Sequence, residues 1–438
     1  MTDHLINNNN NNSQNTRLWV LTLLSLLMFG NYYVYDVIGP VAEQLDRELG
    51  FSDTQIGALN AIYSLPNIFL VLIGGMIVDR FGAARVTLWT TALCLAGAIL
   101  TASRGEFVTM AAGRLLFGLG SETMLIAATV ALGIWFARGN VAFAMGLSLA
   151  VARAGSYAAD LSPVWAGPVY DRGWQAPLVL AAGFAGFSML AAIAYWWVDR
   201  RNPAPLSETP KTPRTGHLNW RATLRFGTSY WYILALCVLF YSVIVPFRST
   251  FSIKYFQHAH GLGLESAATI NSFVYLAAVF TTPLFGWIAD RYGYRALMMV
   301  FGSLLLPVSF IGVVVGGDGL WFTTILLGIS YSMVPAILWP AVIKLVKADR
   351  LGMAYGLLFM LQNAGLAACN LVAGWLNDIN GAGADNPAGY APMIVFFAVL
   401  AVGALIFSVA LWRRETGPHS HGLELPGALR PAVVSEPH

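Results

Sequence analysis

Six ionisable side chains lie inside long apolar segments of the sequence, where a charge needs a partner or water. They are Asp36, Arg114, Glu122, Arg153, Asp160 and Arg248. A charge within lipid costs roughly 2.5 to 3.5 kcal/mol on insertion scales, so such residues are candidate sites for ligands or ions. A carboxylate and a guanidinium that face one cavity can bind the ammonium and the carboxylate of a zwitterion. These residues therefore predict recognition of a small charged molecule.

Glu122 and Arg153 are the pair that fits this chemistry best. Each lies roughly 13 residues from the inner end of its predicted helix, or ~20 Å at 1.5 Å per residue, so both reach the same level. The alternative is a mutual salt bridge that only fastens the two helices together. Arg114 lies two turns before Glu122 on the same helix face. Its two possible roles are to face the substrate site or to stabilise the entrance of its helix.

The overall composition indicates an integral membrane protein. Of the 438 residues, 57% are apolar and only 11% are charged, and the mean hydropathy is +0.62. Soluble domains carry about 25% charged residues. At ~20 apolar residues per crossing, the length allows roughly a dozen spans, which excludes a single-anchor enzyme and a large soluble domain.

Charged residues and Gly or Pro divide the chain into twelve predicted transmembrane helices, an all-α fold that satisfies its own backbone in lipid. The predicted helices are 18–40, 53–79, 84–103, 107–136, 139–168, 174–197, 229–256, 265–290, 295–316, 318–347, 350–378 and 389–412. Lys and Arg favour one side of the membrane by roughly four to one, which predicts that both termini are cytoplasmic.

The remaining segments are polar and predict the domain organisation. The Asn tract at 7–12 cannot support a packed core, and the one long connection is Pro-rich and basic. The predicted domains are a disordered N-terminus 1–17, a six-helix bundle 18–198, a linker 199–228, a second six-helix bundle 229–414 and a disordered tail 415–438.

The two halves repeat each other, as internal repeats of membrane transporters do. Residues 75–85, GMIVDRFGAAR, align with residues 286–295, GWIADRYGYR, at an offset of 211. Such a repeat predicts two pseudo-symmetric bundles with a substrate site at their interface near mid-membrane. We assign the repeated charges to conformational gating, because a carboxylate there can accept from the N-terminus of a neighbouring helix. These gating candidates are Asp79, Arg80, Asp290 and Arg291.

The repeated loop sequences resemble those of the major facilitator superfamily. Over about residues 28–380, the chain also resembles a lysosomal dipeptide uniporter branch of that superfamily. The stretches that carry this similarity are FGNYYVYD (29–36), IYSLPN (62–67), GRLLFGLGSET (113–123), ARAGS (152–156), INSFVY (270–275), GISYSM (328–333), LWP (338–340) and GMAYGLLFMLQNAG (352–365). The resemblance implies transport by alternating access, with Glu122 and Arg153 matching residues that hold the peptide termini or a cationic side chain.

The resemblance also implies a cavity lined by polar and aromatic residues. The further substrate-binding candidates are Tyr35, Tyr63, Asn67, Asn271, Tyr275, Tyr331, Trp339 and Asn363. For any single aromatic residue, packing or placement at the membrane interface is the alternative. Buried amides and hydroxyls need partners, which favours Tyr63, Asn67 and Asn271. Asn363 occupies the place of Arg153 in the repeat.

Asp160 and Arg248 depart from what the uniporter branch leads us to expect, since uncharged residues are expected at both positions. We expect Arg248 to pair with Asp36 or Asp160 when the outer side closes. An intramembrane carboxylate can also carry a proton. Asp160 therefore leaves both uniport and proton symport open.

The sequence also excludes some classes of function and leaves others open. No Gly-x4-Gly-Lys-Ser/Thr motif is present, which argues against an ATP-driven pump, and nothing calls for an enzyme, a cofactor or a metal. One alternative is a carrier of small organic anions that uses Arg153, Arg114 and Arg248. The other is a transporter-like sensor, or a subunit that depends on a partner.

The expected setting is the cell membrane. The acidic-dileucine sorting pattern of lysosomal proteins is missing, because Asp3 lies only two residues before Leu5. We expect a small-molecule substrate, no nucleic acid partner and a functional monomer. The resemblance alone implies an accessory membrane subunit.

Overall fold

The computed structural model describes residues 2–137, 141–202, 226–347, 350–418 and 420–426. Within these ranges the chain is mostly helical and contains no strand. It divides into two compact units, Met1–Thr212 and Pro213–His438. The division falls inside the predicted linker 199–228, of which residues 203–225 lie outside the described ranges.

In the N-terminal unit, long helices alternate with short ones. The helices are α1 (Thr2–Asp36), α2 (Ile38–Leu49), α3 (Asp53–Ser64), α4 (Asn67–Phe81), α5 (Ala83–Ser103), α6 (Phe107–Trp135), α7 (Val141–Asp160), α8 (Ser162–Trp165), α9 (Gly167–Tyr170) and α10 (Gln175–Arg201). α1 packs against α7 and α10, whereas α5 packs against α6 and α10. α3 and α4 both pack against α6.

The C-terminal unit repeats this pattern of packing. Its helices are α11 (Thr228–Pro246), a π-helical segment (Phe247–Phe251), α12 (Ser252–His260), α13 (Leu264–Tyr292), α14 (Arg295–Val315), α15 (Gly319–Leu345), α16 (Leu351–Ile379), a 3₁₀ turn (Pro387–Tyr390) and α17 (Ala391–Glu415). α11 packs against α16 and α17, α14 against α15 and α17, and α13 against α15. The repeat seen in the sequence is therefore also a repeat of helix contacts.

The all-α membrane fold predicted from the sequence is confirmed. Within the described ranges, ten spans are long and apolar enough to cross a membrane, or eleven if the bent pair Asp53–Leu70 and Ile73–Phe81 forms one span. α7 occupies the place of the remaining predicted span. It carries the candidate site residues Arg153 and Asp160.

Proline residues explain several helix ends that differ from the prediction. The ring of Pro40 prevents the usual hydrogen bond to the carbonyl of Asp36, so α1 ends there and the chain continues as α2. α7 ends at Asp160, before Pro163, although residues 139–168 were predicted as one helix. After Pro246 the chain forms a π-helical turn and continues to His260 rather than ending at 256.

Both ends of the chain differ from the predicted disorder. α1 begins at Thr2 and includes the Asn tract, because extending an existing helix costs less than nucleating one. At the other end, Leu423 is fully buried in the C-terminal core and Glu424 bonds to the backbone of α14. The tail is therefore packed against the unit as far as Pro426, and residues 419 and 427–438 lie outside the described ranges.

Glycine allows α5 and α6 to approach closely. A Cβ atom on Gly97 of α5 would lie 2.7 Å from the carbonyl oxygen of Gly113 on α6. Small residues at helix contacts let backbones approach within lipid, where no hydrophobic force drives helices together. This contact fixes the position of α6, which carries Arg114 and Glu122.

Candidate substrate site

Arg114 lies at the centre of a buried polar cluster in the N-terminal unit and is only 1% exposed. Its guanidinium donates to the backbone carbonyls of Val34 and Tyr35 in α1, at 3.1 and 3.3 Å. It also donates to the carbonyl of Leu59 and the side-chain oxygen of Asn60 in α3, at 3.3 and 2.5 Å. A guanidinium has five N–H donors, and four hydrogen bonds to protein acceptors occupy most of them.

The break between α1 and α2 explains why a guanidinium is needed here. The last carbonyls of a helix have no partner within it, and Val34 and Tyr35 lie just before the helix ends at Asp36. Arg114 supplies those donors and is also attracted by the charge of Asp36. The sequence left the role of Arg114 open, whereas the structure has it join α1, α3 and α6.

Three aromatic rings surround this guanidinium. Its central carbon lies 5.7 Å from the ring centroid of Tyr35, 5.5 Å from that of Tyr63 and 5.4 Å from that of Phe117. The two tyrosine rings are 4.7 Å apart. Cation–π attraction and hydrogen bonding therefore hold two predicted site residues, Tyr35 and Tyr63, side by side.

Glu122 lies at the edge of the same cluster. The Tyr63 hydroxyl shares a hydrogen bond of 3.0 Å with the Ser121 hydroxyl, and the Asn31 amide donates to Ser121 at 2.8 Å. The Glu122 side chain interacts with the Tyr63 hydroxyl and is partly exposed. The carboxylate thus lies beside the Tyr63 hydroxyl.

Arg153 lies on α7, which packs against both α1 and α6, and it is 8% exposed. Close approach of α7 to α1 depends on Gly155, since a Cβ atom there would lie 2.9 Å from the carbonyl carbon of Phe29. Asp160, at the end of α7, is fully buried and lies near Tyr170. Glu122 and Arg153 are therefore on neighbouring helices of one unit, and their joint role stays a prediction.

The side-chain amide of Asn67 donates a hydrogen bond, whereas its oxygen accepts none from the described residues. Its nitrogen donates to the carbonyl of Tyr63 at 3.2 Å. Its side-chain oxygen is fully buried and accepts no hydrogen bond from any described residue. An unsatisfied buried acceptor costs about 1–3 kcal/mol, so this oxygen is a place for a donor from water or ligand.

In the C-terminal unit, Arg248 lies in the π-helical segment and is 3% exposed. Its guanidinium carbon lies 4.0 Å from the ring centroid of Tyr275, and it donates to the Ser249 hydroxyl at 2.9 Å. The Asn271 amide donates to the Arg248 carbonyl at 3.2 Å and accepts from Ser252 at 2.7 Å. π-Helical turns are frequent at functional sites. Here the two hydrogen bonds of Asn271 stabilise the turn that contains Arg248.

Aromatic side chains continue from Tyr275 through the C-terminal unit. Tyr275 and Tyr331 have ring centroids 5.9 Å apart, and Tyr241 lies 6.3 Å from Tyr331. The Trp339 indole donates to the Tyr241 hydroxyl at 3.0 Å and stacks on Phe359 with centroids 4.6 Å apart. This row joins three of the predicted site residues. Tyr241 and Phe359 were missed by the sequence analysis, and only their aromatic type could have indicated them.

Asn363 is buried on α16, but its amide nitrogen donates to the carbonyl of Phe359, one turn earlier in the same helix, at 3.0 Å. A bond of this kind orients the side chain along its own helix. Asn363 therefore offers a ligand chiefly its side-chain oxygen.

In both repeated loops a glycine lies two residues after the arginine of the Asp-Arg pair. Gly82 and Gly293 both have positive φ, of 84° and 79°, which favours glycine. Asp79 and Arg80 lie at the end of α4, and Asp290 and Arg291 at the end of α13. In the second loop, Asp290 accepts from the Arg295 guanidinium at 3.0 Å.

Replacing Gly118 by Ala is expected to lower thermal stability, because the new methyl group would collide with the backbone carbonyl of Tyr63. Overpacking of this kind costs about 1–3 kcal/mol. Gly133→Ala on the same helix is the control, since its Cβ would make only an ordinary contact of 3.8 Å with Met145. Thermal unfolding of both variants in detergent measures the difference. Equal melting temperatures would show that α3 and α6 are not closely packed at Tyr63.

Comparisons with known proteins agree with this architecture. The sequence model of the Major Facilitator Superfamily matches residues 24–273 and 247–431. A lysosomal dipeptide transporter of Danio rerio, MFSD1, is 29% identical over 430 residues, covering 94% of this chain and 90% of that protein. A probable sulfoacetate transporter of Cupriavidus necator, SauU, is 23% identical, with 89% and 93% covered.

The fold has close counterparts among solved structures. The crystal structure of a mutant of the nucleoside transporter NupG superposes with a TM-score of 0.75, at 14% identity, over 90% of this chain and 99% of that one. A sequence identity of 14% shows a shared fold and nothing about the substrate. Because the family match covers most of the sequence and the helices have the expected order and packing, the chain belongs to the Major Facilitator Superfamily.

Proposed function

We propose that the chain carries dipeptides or similar small zwitterions across a membrane by alternating access. Glu122 holds the substrate ammonium and Arg153 its carboxylate. The similarity to dipeptide transporters supports this substrate class. The placement of a partly exposed carboxylate and a guanidinium on the adjacent helices α6 and α7 supports the two roles.

The single observation that carries the proposal is that the guanidinium of Arg114 is already hydrogen-bonded to the protein. Its four hydrogen bonds to α1 and α3 leave it little capacity to bind a substrate carboxylate. A carrier of dicarboxylates needs several available cations. With Arg114 in a structural role, Arg153 is the other arginine among the intramembrane charges considered in the N-terminal unit, and with Glu122 on the neighbouring helix it matches the charge pattern of a zwitterion.

The remaining predicted residues contact the body of the substrate in this proposal. From the N-terminal unit they are Tyr35, Tyr63 and Asn67, and from the C-terminal unit Asn271, Tyr275, Tyr331, Trp339 and Asn363. The aromatic row and the open acceptor of Asn67 support these roles. Aromatic faces accept apolar side chains of many shapes, and buried amides position a peptide bond.

Gating is proposed for the remaining charges. Asp79, Arg80, Asp290 and Arg291 act at the inner loops, and Arg248 pairs with Asp36 or Asp160 at the outer side. The burial of Asp36, Asp160 and Arg248 supports these roles, since ionisable residues within membrane spans pair with one another or mark ion and substrate pathways. A charge swap of Arg248 and Asp36 that restores the transport lost in either single variant is the expected result.

Competition in liposomes tests the substrate class. Uptake of a labelled neutral dipeptide is expected to fall by at least about tenfold with excess unlabelled dipeptide, and to stay unchanged with an equal concentration of dicarboxylate. The opposite ranking would favour an organic anion carrier, the activity suggested by the similarity to a sulfoacetate transporter. Binding of dipeptide without any flux would favour a sensor or a partner-dependent subunit.

We propose the cell membrane as the location, with both termini in the cytoplasm, and a monomer as the working unit. The relatives named for lysosomal transport make an internal membrane the competing location. An accessory membrane subunit rests on the resemblance alone. The buried carboxylate of Asp160 supports proton coupling as an alternative to uniport. An inward proton current during dipeptide uptake separates symport from uniport.

A further inference from the structure

Residues 420–426, here called the tail segment, lie across one end of the C-terminal unit, where α14 begins and α15 ends. Four backbone carbonyls of the segment, those of residues 422–425, accept hydrogen bonds at this end. Tyr294 donates to Glu424 at 3.1 Å, and Arg295 donates its backbone N–H to Leu423 at 3.4 Å. The Lys344 ammonium donates to the carbonyl of Gly422 at 3.3 Å. The tail segment thus joins the ends of two helices.

The Glu424 carboxylate acts as a cap for α14. One carboxylate oxygen accepts from the backbone N–H groups of Ala296 and Leu297, at 2.8 and 3.2 Å. The residue at the N-cap position, Tyr294, makes no capping bond with its own side chain. The first N–H groups of a helix have no partner within it and favour a negative charge. Glu424 supplies that charge from 130 residues away along the chain, as counted from Tyr294.

Two further contacts fix the tail segment. Leu423 is fully buried in the hydrophobic core of the unit. The Glu415 carboxylate, at the end of α17, accepts from the Ser229 hydroxyl and from both the backbone and the ring of His421, each at 2.8 Å. The tail segment is thus held by one buried apolar side chain and by hydrogen bonds on both sides of it.

The tail segment contacts the loop that carries the gating candidates Asp290 and Arg291. A Cβ atom on Gly293 would collide with the carbonyl of Glu424 and lie 2.6 Å from the carbonyl carbon of Leu425. Arg295 donates both to Asp290 and to the Leu425 carbonyl, each at 3.0 Å. The equivalent glycine of the first repeat, Gly82, has no described atom within 4 Å of such a Cβ. Among the described residues, the covering of the loop is therefore specific to the second repeat.

We propose that this end of the C-terminal unit is a docking surface for a peptide with a carboxylate and a leucine anchor, and that the tail segment occupies it. In the docked state the segment fixes the loop at 290–295. Its release frees the loop and changes the rate of transport. This inference concerns the loop and the tail, and it holds for any substrate that the protein carries.

Amide hydrogen exchange of the full-length protein in detergent tests the docking directly. Truncation after Gly417 and the substitution Glu424→Ala are each expected to speed exchange at Ala296 and Leu297 by at least about tenfold. Glu436→Ala, which changes the same residue type outside the tail segment, is the matched control and leaves exchange unchanged. Unchanged exchange in both the truncated protein and Glu424→Ala would overturn the proposal.

A peptide supplied in trans tests whether the surface recognises the segment. A synthetic peptide of residues 418–428 is expected to restore slow exchange in the truncated protein, and the same peptide with Glu424→Ala to bind at least about tenfold more weakly. Equal binding of both peptides, or binding of neither, would contradict recognition of the carboxylate. In liposomes, the truncated protein is expected to transport at a rate at least about twofold different from the full chain, with the peptide reversing the change. An unchanged rate would refute the link to the gate, whatever the substrate proves to be.

Discussion

Dipeptide uptake by Glu122→Gln is expected to fall by at least about tenfold while the protein still inserts and folds. The amide keeps the shape of the side chain but loses the charge that holds the substrate ammonium, and a hydrogen bond to a charged group contributes about 1.5–3 kcal/mol. Each 1.4 kcal/mol corresponds to a factor of ten in affinity. The measurement is initial uptake of labelled dipeptide into liposomes, with the amount of inserted protein determined in parallel.

A matched substitution controls for the loss of a carboxylate from α6. Glu106→Gln changes an exposed carboxylate just before the same helix and is expected to leave uptake unchanged. If Glu122→Gln transports normally, the carboxylate is not part of the substrate site. If Glu122→Gln lowers the melting temperature and the amount of folded protein explains the loss of uptake, Glu122 serves as a salt-bridge partner that fastens α6 to α7.

Arg114→Met is expected to destabilise the protein by at least about 3 kcal/mol, because four hydrogen bonds from a charged group are lost together and each such bond contributes about 1.5–3 kcal/mol. The substitution removes the guanidinium that donates to the carbonyls of Val34, Tyr35 and Leu59. It also removes the cation between the rings of Tyr35 and Tyr63. Thermal unfolding and size-exclusion profiles in detergent measure the loss.

Two variants sharpen this second prediction. Arg114→Lys keeps the charge but not the planar fork of donors, so an intermediate melting temperature is expected. Arg47→Met removes an arginine with a 68% exposed side chain and is expected to leave stability unchanged. Wild-type stability of Arg114→Met together with lost transport would mean that Arg114 binds substrate, and the zwitterion proposal would lose its main support.

The sequence was sufficient for the fold and for the order of its helices. A run of apolar residues between charged ends has one stable solution in lipid, and the repeat at an offset of 211 showed that the halves are related. Periodicity could not show where helices break, because the effect of Pro40 and Pro163 depends on which carbonyl each ring meets. The sequence also could not show that the tail is packed, because one buried leucine, Leu423, does not stand out in a segment of polar composition.

The sequence indicated candidate site residues by their type but not by their contacts. Arg114 and Arg153 are both arginines within apolar helices, and only the structure reveals that Arg114 is bonded to carbonyls of two other helices. The signal that could have separated them is the break after Asp36, which leaves helix-end carbonyls in need of donors. Asn363 was equally ambiguous, since a buried amide can serve a ligand or its own helix.

Uptake of end-blocked dipeptides tests the central claim most directly. Liposomes containing the purified protein are given a labelled dipeptide, its N-acetylated form or its C-amidated form, at equal concentration. If Glu122 holds the ammonium and Arg153 the carboxylate, the free dipeptide is transported and each blocked form moves at least about tenfold more slowly. Transport of both blocked forms at the rate of the free dipeptide would contradict recognition of a zwitterion.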